Sequence, residues 1–366
     1  MKLLLSLFYF FYFATVGVYV IFMPKVLSLS GYSSSEIGVI FSAAPFIRFL
    51  LPFAFTRGLK IDKKVFYFAL FMMFISSVGF YLSLGSFYQL LLSNIGLGIG
   101  LSLVLPFVEL ISLHTIGKEK YGKIRLFGSV GFVLVALVLV KFLSSPLVAL
   151  NYMLSGIFFT IIISFIISTK NNINEKKDTN IENDISLLKD WKLWLALTLM
   201  QISFGSFYNF FTIYETNHGV SLDMTIYLWS FGVLVEIVML YFQSIFLKKN
   251  LLVVIQITTF VTSLRWMILF LYPQNLPLLF FSQSLHALSF ALFHSASISY
   301  LYHLYKHKAL AQQFFSGITY GLGGFLGAML SGYIYELYPE YLFLSSALFA
   351  FLSFCFISLW RVKTLK

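Results

Sequence analysis

Residues 169–190, TKNNINEKKDTNIENDISLLKD, form the one long polar stretch in a chain of 366 residues. The stretch mixes charges of both signs and contains no aromatic residue, a composition typical of a flexible linker. It lies near the midpoint and separates two segments that are apolar almost throughout. We therefore predict two halves, residues 1–168 and 191–366, joined by a linker over 169–190.

The composition of the two halves indicates an all-α membrane protein. The chain is 59% hydrophobic and 11% charged, so a soluble domain of this length would have an almost wholly apolar surface. Apolar runs long enough to cross a ~30 Å hydrocarbon core as helices recur from end to end. We predict twelve transmembrane helices, near residues 4–26, 35–56, 64–84, 87–115, 123–143, 149–168, 191–215, 223–246, 251–272, 277–302, 309–336 and 341–361.

The placement of lysine and arginine predicts the orientation in the membrane. Of the 25 basic residues, 21 lie at the termini, in the linker, or in alternate loops and the adjoining helix ends. The intervening loops (27–34, 85–86, 144–148, 216–222, 273–276 and 337–340) contain neither Lys nor Arg. By the positive-inside rule, we predict cytoplasmic termini in a bacterial inner membrane. The net charge of +11 is then a topology signal, and we expect no nucleic-acid partner.

An internal repeat supports the division into two six-helix halves. Gly31 precedes the second predicted helix, and Arg48 follows it by 17 residues. Gly219 precedes the eighth, and Glu236 follows it by the same 17 residues. A cation in one half thus corresponds to an anion in the other. Two parallel halves related by an axis along the membrane normal are the plan of the major facilitator fold, with substrate bound between them near the midplane.

Ionisable side chains inside predicted helices are the first candidates for function, because their burial in a bilayer is costly. Setting helix ends aside leaves seven candidates, of which Arg125 lies at the start of the fifth predicted helix: Arg48, Glu109, Arg125, Glu236, Arg265, His286 and His294. Charged residues closer to predicted helix ends are set aside because they can extend to the membrane surface; they are Lys25, Glu36, Lys141, Glu215 and Glu336.

The spacing of these residues suggests two groups. Glu109 and Arg125 flank the short predicted loop 117–122, so we expect them to pair, either in a substrate site or as a salt bridge at the rim. Glu236 and Arg265 are expected to couple transport to protons. Desolvation favours the protonated form of a carboxyl group, and an approaching arginine favours its release of the proton.

Further candidates come from histidines and aromatic side chains. We assign His286 and His294, on the tenth predicted helix, to the proton-coupling group, with helix packing as the alternative for each. We also expect Tyr208, Asn209 and Trp229 to line a pocket for a flat ring, unless they serve packing alone.

Several stretches resemble a group of major facilitator transporters. YGKIRLFGS at 121–129 is similar to the loop signature shared by oligosaccharide:proton symporters, nucleoside:proton symporters and the 3-phenylpropionate permease. YLWSFGVLVE at 227–236, Arg265-Trp266 and QSLH at 283–286 extend the resemblance over nearly the whole chain. The resemblance implies sugar-site roles for Glu109 and Arg125 and coupling roles for Arg265 and His286.

The chain also departs from the sugar-transporting members of that group. Ser289 stands where the resemblance implies a coupling glutamate, and Val233 where it implies the sugar-site glutamate. Asn209 and Thr212 replace two aspartates, and Gln283 replaces a lysine partner. These departures disfavour galactoside transport and make Glu236 the leading proton carrier.

Together these observations predict a proton-coupled symporter of a small organic solute, for which an aromatic carboxylate such as 3-phenylpropionate is the preferred substrate. The alternatives are a nucleoside or sugar:proton symporter, a proton-driven efflux pump and, more distantly, a non-transporting membrane receptor. No nucleophile elbow, phosphate loop or metal-ligand spacing points to an enzyme. We expect no cofactor and no metal; the expected partners are the lipid bilayer, protons and a small-molecule substrate, and the protein is expected to be a monomer.

Overall fold

The computed structural model describes residues 1–59, 62–170 and 185–360, and within these ranges the regular structure is entirely helical. Most of the predicted linker (171–184), Lys60 and the basic carboxyl-terminal residues Arg361, Lys363 and Lys366 lie outside the described residues. The twelve main helices of the described part are α1 (Lys2–Leu29), α2 (Ser34–Thr56), α3 (Lys63–Leu82), α4 (Phe87–Ile116), α5 (Lys118–Phe142), α6 (Pro146–Thr169), α7 (Trp191–Ser203 and Gly205–Asn217), α8 (Leu222–Phe242), α9 (Leu251–Leu271), α10 (Leu276–Leu304), α11 (Lys308–Leu337) and α12 (Leu342–Leu359).

These helices form two six-helix bundles, and the chain is a multi-pass membrane protein. Eleven of the helices in the described part are long and apolar enough to cross a membrane. The exception is α7, which is interrupted at Phe204 and so consists of two pieces of 13 residues each. Sequence analysis predicts α7 as one continuous helix, and the break is a correction to that prediction.

The predicted repeat is visible in the backbone. Gly31 and Gly219 have φ angles of 93° and 89°, a region in which a side chain is strained. Two residues after each glycine, a serine caps the next helix: Ser33 accepts a hydrogen bond from Glu36 N, and Ser221 accepts one from Met224 N. The same turn therefore introduces α2 and α8, as the sequence repeat predicts.

The predicted loop between α4 and α5 is shorter than expected. Sequence analysis places it at residues 117–122, whereas α5 begins at Lys118. Gly117 has a φ angle of 76° and reverses the chain within a single residue. The next helix therefore begins at the following residue, and the end of α4 lies close to the start of α5.

Three helices contain a π-helical segment: Val18–Phe22 in α1, Ala287–Leu292 in α10 and Phe315–Leu322 in α11. Such segments change the direction in which following side chains point, and they occur frequently at functional sites. The segment in α10 begins directly after His286, and the segment in α11 contains Tyr320. Both helices are therefore irregular beside His286 and Tyr320.

The two bundles meet along α2 and α11. A Cβ atom on Gly38 would lie 2.9 Å from the Gly332 Cα atom, and one on Gly317 would overlap Pro52. Glycine lets helix backbones approach closely where lipid offers no hydrophobic drive to association. We call the end of the bundles where α6 ends and α7 begins the linker side, and the opposite end the distal side.

Polar contacts join the bundles at the distal side. Lys141 Nζ lies 2.6 Å from Asp223 Oδ1, and Lys25 Nζ donates to Thr216 Oγ1 at 3.0 Å. The backbone N–H of Ser35 donates to Glu336 Oε2 at 2.7 Å. Each contact connects one bundle to the other, so the distal ends are held together in this structure.

Close packing inside the second bundle gives a first testable prediction. A Cβ atom on Gly205 would overlap the Gly327 carbonyl group of α11. We expect Gly205→Ala to destabilise the protein by about 1–3 kcal/mol, because two backbones must move apart. The midpoint of thermal unfolding in detergent, followed by tryptophan fluorescence, would fall.

Gly122→Ala is the matched control for this substitution. Gly122 also lies in a helix, but a Cβ atom there would meet nothing within 4 Å. Both substitutions gain the same helix propensity, so the difference between their midpoints isolates the packing. Equal midpoints would show that α7 and α11 do not approach as closely as described.

Candidate functional site

Arg265 is the centre of a buried polar cluster in the second bundle. Its side chain is fully buried on α9. Its Nη1 lies 3.0 Å from Ser289 Oγ and 2.9 Å from His286 Nδ1, and its Nη2 donates to Gln283 Oε1 at 3.0 Å. The guanidinium carbon also lies 4.3 Å from the ring centre of Trp266. Neutral hydrogen-bond partners and an aromatic face thus stabilise a cation that has left water.

The hydrogen bond from Arg265 fixes the tautomer of His286. Arginine only donates hydrogen bonds, so Nδ1 of His286 is the acceptor and a neutral ring carries its proton on Nε2. That Nε2 lies 3.6 Å from Glu236 Oε2. Arg265, His286 and Glu236 therefore form a row across α9, α10 and α8. A further proton on Nδ1 of His286 would face the guanidinium of Arg265.

Gln283 and Ser289 are partners of Arg265 that sequence analysis treats only as departures from the sugar transporters. Both contact the guanidinium directly. Their spacing contains the signal that was overlooked: residues 283, 286 and 289 are each three apart, which places them on one helix face. The loss of charged residues at 283 and 289 therefore leaves a neutral polar cradle around the arginine.

Arg48 and Glu236 lie on opposite sides of the interface between the bundles and share two neighbours. The charges of both act on the hydroxyl groups of Tyr208 and Tyr320. Arg48 also acts on Tyr12 of the first bundle. Within the described residues, no hydrogen bond or ion pair engages the Arg48 guanidinium. The repeat thus places an unpaired cation and a carboxylate around the same pair of tyrosines.

His294 and Tyr320 extend this group. His294 Nδ1 lies 2.7 Å from the Tyr320 hydroxyl group. Tyr208, His294 and Tyr320 lie deep within the protein and yet keep partly accessible surface. Tyr320 was missed by sequence analysis, because nothing in the pattern of α11 distinguishes it from the other aromatic residues.

Glu109 and Arg125 form the predicted pair in the first bundle. Arg125 Nε lies 3.8 Å from Glu109 Oε1, and the Tyr121 hydroxyl group donates to the same oxygen at 2.9 Å. The Arg125 guanidinium carbon lies 3.8 Å from the centre of the Phe13 ring. The Arg125 charge also acts on His294 of the other bundle. The pair therefore lies within electrostatic reach of the interface between the bundles.

Trp229 packs in the core of the second bundle, whereas Asn209 is bonded within its own helix and, like Tyr208, keeps partly accessible surface. Trp229 is 4% exposed, donates to Thr212 Oγ1 at 3.1 Å and lies 4.2 Å from Phe207 between ring centres. The Asn209 amide donates to Gly205 O, 2.8 Å away in its own helix. Trp229 is therefore buried in the second bundle, whereas Tyr208 keeps accessible surface.

Comparison with known sequences identifies transporters. The profile of the MFS_1 like family matches residues 2–345. The chain is 24% identical to the probable 3-phenylpropionic acid transporter of Escherichia coli (strain K12) over 346 residues, which are 91% of this chain and 90% of that protein. It is 26% identical to the uncharacterized transporter YwbF of Bacillus subtilis (strain 168) over 344 residues, 90% of this chain and 85% of that protein.

Comparison with solved structures identifies the same fold. The nucleoside transporter NupG superposes with a TM-score of 0.81 at 18% identity, covering 99% of both chains. A bacterial homologue of the human lysosomal transporter Spinster, in an inward-facing and occupied conformation, superposes with a TM-score of 0.74 at 14% identity. That match covers 98% of this chain and 95% of the other.

Proposed function

The chain belongs to the MFS_1 like family of major facilitator transporters, and from this we propose that it is a proton-coupled symporter of an aromatic carboxylate, such as 3-phenylpropionate. It is a transporter and not an enzyme, and its setting is a lipid bilayer. We further propose that it works as a monomer in a bacterial inner membrane. The linker side would then be cytoplasmic, because α1 begins there, α12 ends there and the loops rich in Lys and Arg connect helices at that side.

The observation that carries the proposal is that Arg48, unpaired among the described residues, and Glu236 of the other bundle are both near enough to act electrostatically on Tyr208 and Tyr320. An arginine without a protein partner offers a bidentate donor for a carboxylate. The tyrosines provide flat apolar surface for a ring and hydroxyl groups for orientation. The probable 3-phenylpropionic acid transporter, 24% identical, supports the same substrate class.

The row of Arg265, His286 and Glu236 supports proton coupling. Glu236 is the proton carrier in this proposal, and its side chain keeps 17% of its surface accessible. His286 orients toward it from one side and is itself held by Arg265. Protonation of Glu236 weakens its attraction to the Nε2–H group of His286, so loading the proton loosens the link between α8 and α10. Rearrangement of these two helices would then accompany substrate release.

Glu109 and Arg125 complete the proposed substrate site from the first bundle. Because Glu109 already engages the Arg125 side chain, we assign the first contact with a substrate carboxylate to Arg48. Arg125 supplies a second donor when its weak 3.8 Å pairing with Glu109 is exchanged for the substrate. The role of His294 is to hold Tyr320 toward the cavity.

A substrate panel in proteoliposomes tests the proposed function. We expect 3-phenylpropionate to alkalinise the outer medium, reported by a pH-sensitive dye, because protons enter with the acid anion. Nucleosides and disaccharides should leave the signal at the level of empty liposomes. A pH change on addition of a nucleoside, and of no other solute, would show that the substrate is a nucleoside. If no solute of the panel changed the dye signal, proton symport would be contradicted, and efflux of cationic drugs would be the function to test next.

A further inference from the structure

Glu215 is a buried carboxyl group that the proposed transport site does not use. Sequence analysis sets it aside as a residue near a helix end, able to reach the membrane surface. The structure corrects this: Glu215 is 0% exposed, and neither carboxyl oxygen has a hydrogen-bond partner among the described residues. It lies two residues before the end of α7 at Asn217, on the distal side.

The surroundings of Glu215 contain titratable groups but no cation that pairs with it. Its charge acts on Tyr214 of α7 and Tyr335 of α11, and Glu340, just after α11, acts on the same two tyrosines. The nearby cations are engaged elsewhere: Lys25 of α1 bonds to Thr216, and Lys141 pairs with Asp223 of α8. The other titratable group here is His218, whose ring centre lies 4.1 Å from that of Tyr214 and whose Nε2 lies 3.5 Å from Glu340 Oε2. Among the described residues, no cation pairs with Glu215 itself.

An ionised carboxylate without a partner is very costly to bury, and such a group takes up a proton instead. The residue that follows Glu215 makes the contact between bundles, because Thr216 accepts the hydrogen bond from Lys25. Separation of α1 from α7 at the distal side would therefore admit water next to Glu215. In water the carboxyl group would ionise at neutral pH.

We propose that Glu215 is a second proton-binding site, occupied when the distal ends are closed and emptied when they open. Acid on the distal side thereby favours closure. This proton is separate from the one assigned to Glu236, so the inference does not rest on proton-coupled symport. Protonation of Glu215 thus makes the closure of the distal contacts between the bundles dependent on pH.

Distance measurements between spin labels test this inference in the full-length protein. Ser144 and Gln274 are exposed in distal loops of different bundles, and cysteines there would carry the labels in a Cys355→Ser background. As the pH rises, we expect the ratio of closed to open molecules to fall by up to about tenfold per pH unit, the limit for one linked proton. In Glu215→Gln the ratio should stay constant and favour the closed state.

Glu236→Gln is the comparison variant, and it should keep the pH dependence of the distal distance whatever it does to transport. Infrared spectra give a second readout: a protonated carboxyl band should be present in Glu236→Gln and absent when Glu215→Gln is added. Retention of the pH-dependent distance in Glu215→Gln would overturn the inference. So would the absence of a protonated carboxyl band in Glu236→Gln.

Discussion

Glu236→Gln is expected to abolish substrate-driven proton movement in proteoliposomes, reducing the dye signal to that of empty liposomes. The amide cannot release or accept the transported proton, although it fills the same space beside His286. Exchange of labelled substrate across the membrane should persist, because exchange requires binding and reorientation without net proton transfer. The pair of assays therefore distinguishes a lost proton carrier from a lost substrate site.

Glu340→Gln is the matched control for this prediction. It removes one carboxylate from the same bundle, but the Glu340 side chain is 76% exposed after the end of α11. Proton movement should be unchanged in that variant. Proton movement at the native rate in Glu236→Gln would exclude Glu236 as the carrier. Loss of exchange together with proton movement would instead assign Glu236 to substrate binding.

The fold could be predicted from the sequence because its determinants are local. Apolar length fixes the number of spans, and the positions of lysine and arginine divide the loops into two sets. The turns at Gly31 and Gly219 are also local, since a glycine, a capping serine and an acidic first turn need no tertiary information. The structure reproduces the twelve main helices and both turns within the described residues, although apolar length identifies only eleven of those helices as spans because α7 is interrupted.

The contacts around Arg265 and Glu215 could not be predicted in the same way. Most helices here are apolar on every face, so the sequence gives little indication of which side faces protein, cavity or lipid. Glu215 shows the consequence: its position near a helix end favours a snorkelling side chain, yet the fold turns it inward. The break at Phe204 has the same origin, because no proline marks it and the close contact of Gly205 with α11 is tertiary.

The site residues also differ in whether a local sequence pattern or only tertiary packing identifies them. Arg48 and Glu236 were found because the repeat relates them, and Glu109 and Arg125 because a short turn connects their helices. Tyr320 has no such relation, and only the packing of α10 and α11 brings it to His294. Ser289 shares a helix face with His286, but only the packing of α9 against α10 brings it to Arg265. The polar residue beside Trp229 in the sequence favours a place in the site, but its indole N–H donates to Thr212 of α7 and its ring is buried in the core.

Arg48→Gln is expected to abolish uptake of aromatic acids while leaving the protein folded. The substitution removes the unpaired guanidinium that we assign to the substrate carboxylate. Loss of a charge-assisted bidentate contact costs about 3 kcal/mol, which corresponds to about a hundredfold weaker apparent affinity. Because no ion pair within the described residues depends on Arg48, thermal stability in detergent should change little. Labelled 3-phenylpropionate uptake is the measurement.

Arg57→Gln removes the same charge from the exposed end of α2 and should leave uptake intact, which separates a local contact from the general effect of a lost cation. Arg48→Lys sharpens the comparison, since an ammonium group keeps the charge but cannot form the bidentate fork. Intermediate affinity in Arg48→Lys would support direct carboxylate binding. If Arg48→Gln transported acids normally, the carboxylate would have to bind elsewhere, and Arg125 would be the next residue to test. If Arg48→Gln lost uptake of a nucleoside instead, the site would bind a different class of substrate.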